Sequence, residues 1–122
     1  MNEYILNITT AADGSATVTS ETGIFGKLYA VEFVDGDLVD GVDTTLTYVS
    51  PSGVTKTLLT MTDWNSDQTI YPREQVHGNT GTGLTYDGTR IVADPPIVAG
   101  IVTATVAQGG NAKSGQVILY VD

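Results

Sequence analysis

The 122-residue sequence predicts an all-β chain, a single antiparallel β-sandwich spanning residues 1–122, jelly-roll-like or immunoglobulin-like, with about eight strands. Three observations predict it. Turn signals recur about every 8–12 residues, with Asp-Gly at Asp13-Gly14, Asp35-Gly36, Asp40-Gly41 and Asp87-Gly88, and with Pro51-Ser52-Gly53 and Gly109-Gly110-Asn111 besides. Between the turns lie β-branched and aromatic runs with period-two alternation. No segment sustains apolar residues at helical spacing over three turns, so helix content is expected to be small.

The elements follow in order. Tyr4 to Thr10 places Tyr4, Leu6 and Ile8 on one face, and Ser15 to Glu21 sets Ala16 and Val18 against a hydroxyl row of Ser15, Thr17 and Thr19. These two read as a first hairpin across Asp13-Gly14. Lys27 to Val34 groups Tyr29, Val31 and Phe33, Thr44 to Val49 offers Leu46 and Tyr48, and Val54 to Thr62 offers Leu59 and Met61. Threonine fills many intervening positions, where its branched side chain suits the pleat and its hydroxyl stays solvated. Ile97 to Gln108, a turn over Gly109 to Gly115, and Gln116 to Val121 read as the clearest hairpin.

Two stretches break the alternation. Val117-Ile118-Leu119-Tyr120-Val121 is apolar on both faces, as for a central strand that meets a partner or one covered by neighbouring loops, and Ile118 and Tyr120 are therefore interface candidates. From Arg73 to Asp94 the pattern fades into a Gly-, Asn- and Thr-rich run, so residues 73–96 are expected to form a long loop that is functional or ordered by a neighbour. Just before it, Tyr71 and Arg73 flank Pro72, and both are residue types that anchor interfaces. The immunoglobulin alternative lacks its hallmarks, since there is no Cys pair and Trp64 sits in the polar segment Asp63-Trp64-Asn65-Ser66-Asp67.

Charge narrows the partners. Five Lys+Arg against fourteen Asp+Glu give a net charge of −9, which excludes nucleic acid and anionic membrane as partners because both need clustered cations. Without cysteine there is no disulfide framework and no thiolate metal site. The N-terminus carries no basic and apolar leader pattern, and no run approaches the roughly 18 apolar residues of a membrane span, so a soluble protein made in a cytoplasm is expected.

Candidate chemistry is sparse. Asp35, Asp37, Asp40 and Asp43 cluster in nine residues, yet a calcium loop would need acids where Val39 and Leu46 stand. Asp63, Asn65 and Asp67, with Glu74 at the twelfth place, match calcium-loop spacing better, but Gln68 replaces the turn glycine and Pro72 interrupts the stretch. Both segments read as solvated turns, and no cofactor or metal is expected. His77 is the only imidazole and has no nucleophile motif beside it, a Gly-x-Ser-x-Gly elbow is absent, and the Gly109–Gly115 run lacks the order of a phosphate loop. No enzymatic activity is expected.

Three segments carry a resemblance. Lys27-Leu28-Tyr29-Ala30-Val31-Glu32-Phe33 entering the Asp-Gly turns, Leu58-Leu59-Thr60-Met61-Thr62-Asp63 leading to Tyr71-Pro72-Arg73, and Ala107-Gln108-Gly109-Gly110-Asn111-Ala112-Lys113-Ser114-Gly115 before the last strand together resemble small virion proteins of tailed bacteriophages. The resemblance spans nearly the whole chain and contains no catalytic signature. It implies a structural particle component, a head decoration or cement protein, which binds the major capsid protein on the outer surface of the head, often as a trimer. A tail, neck or fibre-attachment adaptor is the alternative. A carbohydrate-binding or adhesin-like module is a third reading, and it needs a surface aromatic pair such as Trp64 with Tyr71 or Tyr86. Nine of the acids fall in expected turns or loops, so the negative field is expected at the ends of the sandwich, leaving neutral strand faces for packing.

Overall fold

The long strands form where the alternating runs lie, three short ones are added between residues 68 and 94, and the computed structural model, which describes residues 1–122, contains no helix. They are β1 (Asn2–Thr9), β2 (Ala16–Thr19), β3 (Ile24–Val34), β4 (Val42–Val49), β5 (Thr55–Trp64), β6 (Gln68–Ile70), β7 (Glu74–Gln75), β8 (Ala93–Asp94), β9 (Ile97–Ala107) and β10 (Ser114–Val121). One layer has the order β1-β10-β3-β6 and the other β2-β9-β4-β5, all antiparallel. The pairs are nested: β1 with β10, β2 with β9, β3 with β6, and β4 with β5. A long antiparallel ribbon rolled on itself has this order. It is the jelly-roll arrangement and not the immunoglobulin one.

The nesting corrects both expected hairpins. β1 and β2 do not pair with each other, and neither do β9 and β10; each turn carries the chain from one layer to the other. β9 already has β2 and β4 on its two edges, and β10 has β1 and β3. An Asp-Gly or Gly-Gly turn specifies that the chain reverses, while the layer entered by the returning strand depends on which edges the rest of the chain leaves open. The expected long loop of 73–96 is present and carries its own local order. It contains β7 and β8 and folds back on itself through a ring of backbone hydrogen bonds, from Val76 N to Val92 O (2.7 Å), Leu84 N to Val76 O (2.7 Å) and Val92 N to Leu84 O (3.1 Å).

The core lies between the layers. β4 points Val42, Thr44, Leu46 and Tyr48 inward, and β9 points Val98, Val102, Ala104 and Val106 inward, all buried. Phe33 is fully buried and meets the Trp64 ring edge-on, with centroids 5.2 Å apart. On the outer face of the second layer, register aligns Thr17, Thr105, Thr45 and Thr60 in one row and Thr19, Thr103, Thr47 and Thr57 in the next. These rows keep a nearly uncharged face solvated, since each hydroxyl can both donate to and accept from water.

The two layers join at one corner, where the start of β3 pairs with the start of β9 through Ile24 to Gly100, Phe25 to Ala99, Gly26 to Val98 and Lys27 to Ile97. Gly26 and Gly100, diagonal neighbours across this corner, have φ of +144° and +150°. A Cβ at Gly100 would overlap the Val49 carbonyl oxygen, and one at Gly26 would press on the Asp122 carbonyl. Glycine is required there for the crossing strands to approach neighbouring backbone.

Candidate interaction surface

The rolled ribbon sorts the connections between two ends. The β1–β2, β3–β4, β5–β6 and β9–β10 turns share one end, while the β2–β3 and β4–β5 turns and the Tyr71–Pro96 excursion share the other. Asp13, Asp35, Asp37, Asp40, Asp43, Asp63 and Asp67 therefore gather at the first end, with Lys113 as its only cation. The other four cations, Lys27, Lys56, Arg73 and Arg90, lie toward the opposite end. The expectation of acidic tips at both ends is thus only half met: the dense cluster occupies one.

The acidic end is tied together by its own carboxylates and amides. Asp63 N donates to Asp43 Oδ1 (2.9 Å), Gly41 N to Asn65 Oδ1 (2.8 Å) and Asp35 N to Asp67 Oδ1 (2.8 Å). The two segments read as calcium-loop candidates thus meet side by side and bind each other's backbone. Glu74 does not join them; it sits in β7 beside Asp94 at the other end of the molecule. No group of three or more His, Asp or Glu side chains converges with metal-binding geometry. Asp35 keeps one buried carboxylate oxygen without a donor, and burial, with Asp40, Asp67 and Asp37 nearby, raises its pKa above the ordinary value.

Leu38, read only as part of a solvated turn, is a buried plug at this end. Its methyl groups lie so close to Gly109 and Gly115 that a Cβ at either would crowd them. Thr10 seals the same end, donating to Gly110 O (2.6 Å) and accepting from Lys113 N (2.9 Å). Its single β-branched hydroxyl in a strand carried no sequence signal for this role.

Exposed apolar residues segregate the other way. Of the large hydrophobic side chains that face solvent, all but Ile5 and Val39 lie at the opposite end or on the strand halves that reach it. Phe25 and Ile97, each 61% exposed, share the outer face of the glycine corner as diagonal neighbours in the β3–β9 register. Tyr71 is exposed, and Arg73 packs over the Tyr29 ring (5.1 Å to the centroid) while donating to Tyr29 O (3.0 Å) and Pro72 O (2.6 Å). These bonds fix Arg73 without neutralising it. Between Arg73 and Ile97 no residue is buried, and Leu84, Tyr86 and Ile91 are open to solvent.

The other interface candidates are placed differently. Ile118 is buried, 9% exposed, in a central strand, and Tyr120 donates its hydroxyl to Glu32 Oε2 (2.8 Å) on the neighbouring strand. Side chains of the same sheet cover the outer face of β10, and the Glu32 bond is the leading cause of a raised Tyr120 pKa. Trp64 is buried at the acidic end, while Tyr71 and Tyr86 lie toward the other, so Trp64 forms a surface pair with neither. His77 lies exposed within the excursion, where it pairs with Gly83.

The fold and surface together define a jelly-roll β-sandwich with one densely acidic end and an opposite end of mixed charge that carries most of the exposed apolar side chains. No protein-family model matches the chain, and no curated protein matches it. Among solved structures the chain is similar to one chain from the structure of the infectious bursal disease virus Gx strain, at 15% identity and a TM-score of 0.30. That likeness covers 98% of this chain and 32% of the other, so the present chain spans about a third of its neighbour's length.

Proposed function

We propose that this chain is a non-enzymatic structural component of a virus particle, a decoration or cement protein on the outer surface of a tailed-phage head. The observation that carries the reading is that most exposed large apolar side chains and four of the five cations lie toward one end of the sandwich, while seven Asp with a single cation crowd the other. A monomer gains nothing from presenting Phe25 and Ile97 side by side to water with Tyr71 and Tyr86 exposed toward the same end, whereas a protein that docks end-on buries them. The acidic end then faces solvent, away from the packaged nucleic acid that would repel it. The resemblance of the three segments quoted above to small tailed-phage virion proteins supports the same role. The major capsid protein is the partner in this reading, and symmetric association of copies, with a trimer favoured, lets weak contacts repeat over the lattice.

Counting copies in purified particles tests it. A decoration protein is present in hundreds of copies, and a tail, neck or fibre adaptor in about six to a few dozen. Binding to the assembled shell also stabilises that shell relative to its parts. Heads stripped of the protein are therefore expected to rupture at a lower temperature, and equal resistance with and without it would overturn the proposal.

A further inference from the structure

A groove of about 660 Å³ opens between β5 and the Pro72–Glu74 segment, with Tyr48, Leu58 and Ile97 among its apolar walls. Three features of this groove belong together. β5 has a strand partner only on its β4 side, so the backbone of its outer edge is unpaired. Lys56 and Arg73 both line the groove and neither forms an ion pair, although the chain has nearly three carboxylates for every cation. Glu74, the one acid in the lining, is bonded to neither of them. Lys27 and Arg90, by contrast, are paired with Asp94 and Asp87.

We infer that this groove binds an extended, carboxylate-bearing segment of a partner polypeptide, which adds a strand to the free edge of β5. Main-chain hydrogen bonds to the edge supply affinity, alternate side chains meet the apolar walls, and an acidic side chain reaches Lys56 and Arg73. Charge complementarity and the open edge together select the occupant: two cations without a carboxylate partner line a groove beside an unpaired strand, so an extended segment that carries an acidic side chain satisfies both. The register shift at Leu58 interrupts the edge, so the added strand is short and pairs along Thr55–Thr57. This contact deepens the docking reading and rests on it only for the partner's identity as a shell protein.

The experiment titrates labelled protein with a short blocked peptide of alternating valine and threonine carrying a central aspartate pair, followed by amide chemical shifts. The account expects shifts at Thr55, Lys56, Thr57, Leu58 and Arg73, with affinity on the order of 0.1 mM. Lys56→Glu is expected to weaken binding about tenfold or more, and Lys56→Arg to retain it. No shifts at these amides, or equal binding by a peptide with lysines in place of the aspartates, overturns the inference. Shifts that appear on concentrating the protein alone assign the edge to a second copy and overturn it too. Peptide binding without attachment to heads would overturn the docking reading while leaving the groove assignment intact.

Discussion

Gly100 and Asp35 show how single residues set the limits of this fold. Gly100 combines a φ of +150° with a Cβ position already taken by the Val49 carbonyl, so Gly100→Ala is expected to cost about 3 kcal/mol or more. Gly53 has a φ of +88° but open space around its Cβ position, so Gly53→Ala is expected to cost only about 1 kcal/mol. Urea denaturation of the two variants separates strain from overlap, and equal losses would contradict the account of the corner. Asp35 acts through pH. Its raised pKa means that the native state binds a proton more readily than the unfolded chain, so stability grows as pH falls from neutral into the raised range. Asp13 and Asp87 work in the opposite sense. Hydrogen bonds from the Ser15 hydroxyl and amide hold Asp13 below its ordinary value, and those from the Arg90 and Thr89 amides and the Arg90 side chain do the same for Asp87. Their contributions are full above the ordinary carboxylate pKa and are lost as pH falls through the depressed values. Thermal melts are therefore expected to peak below neutrality but above the ordinary carboxylate pKa, and Asp35→Asn is expected to remove the rise below neutrality. A melting temperature that only falls from pH 7 downward would contradict this.

At the scale of elements, the excursion between β6 and β9 separates stability from function. Its residues 74–94 include none that is buried and are tied to the sandwich by the Lys27–Asp94 ion pair (3.6 Å), so replacing them with a short Gly-Ser linker is expected to change unfolding free energy by less than about 1 kcal/mol. The same replacement is expected to impair attachment to particles, because Leu84, Tyr86 and Ile91 leave with it. Pelleting of the variant with heads checks the second expectation and a denaturation curve the first. Strand positions were legible in the sequence because Val42 to Val49 and Ile97 to Ala107 alternate cleanly, and each alternate residue does point inward. Strand partners were not legible. The turns at Asp13-Gly14 and Gly109-Gly110 look local, yet both bridge layers, and the nested pairing of β1 with β10 joins residues more than a hundred positions apart. The candidate surface was legible in Tyr71 and Arg73, whose chemistry differs from the Thr-rich strands around them. It was not legible in Phe25 and Ile97, since an apolar residue on a strand looks the same whether its face is the core or the outside of a corner. Ile118 was misread for the converse reason: neighbours on adjacent strands bury a side chain that alternation assigns to the outer face.

For the whole molecule, the separation of charge from apolar surface gives orientation. Added salt screens the crowded carboxylates of the acidic end, so the isolated protein is expected to melt higher as ionic strength rises. In the proposed orientation, docking through Phe25 and Ile97 would place that end outward on the shell. Phe25→Asp combined with Ile97→Asp removes apolar area at exposed positions, so attachment is expected to weaken more than about tenfold while the melting temperature stays near that of the parent. The most direct measurement is a cryo-electron microscopy reconstruction of particles carrying the protein. The account predicts lattice-wide density on the outer surface of the head, with the glycine corner and the Tyr71–Pro96 excursion against the shell and the Asp35–Asp43 turn facing solvent. Density confined to a tail or neck, or copies with the acidic end against the shell, would contradict it.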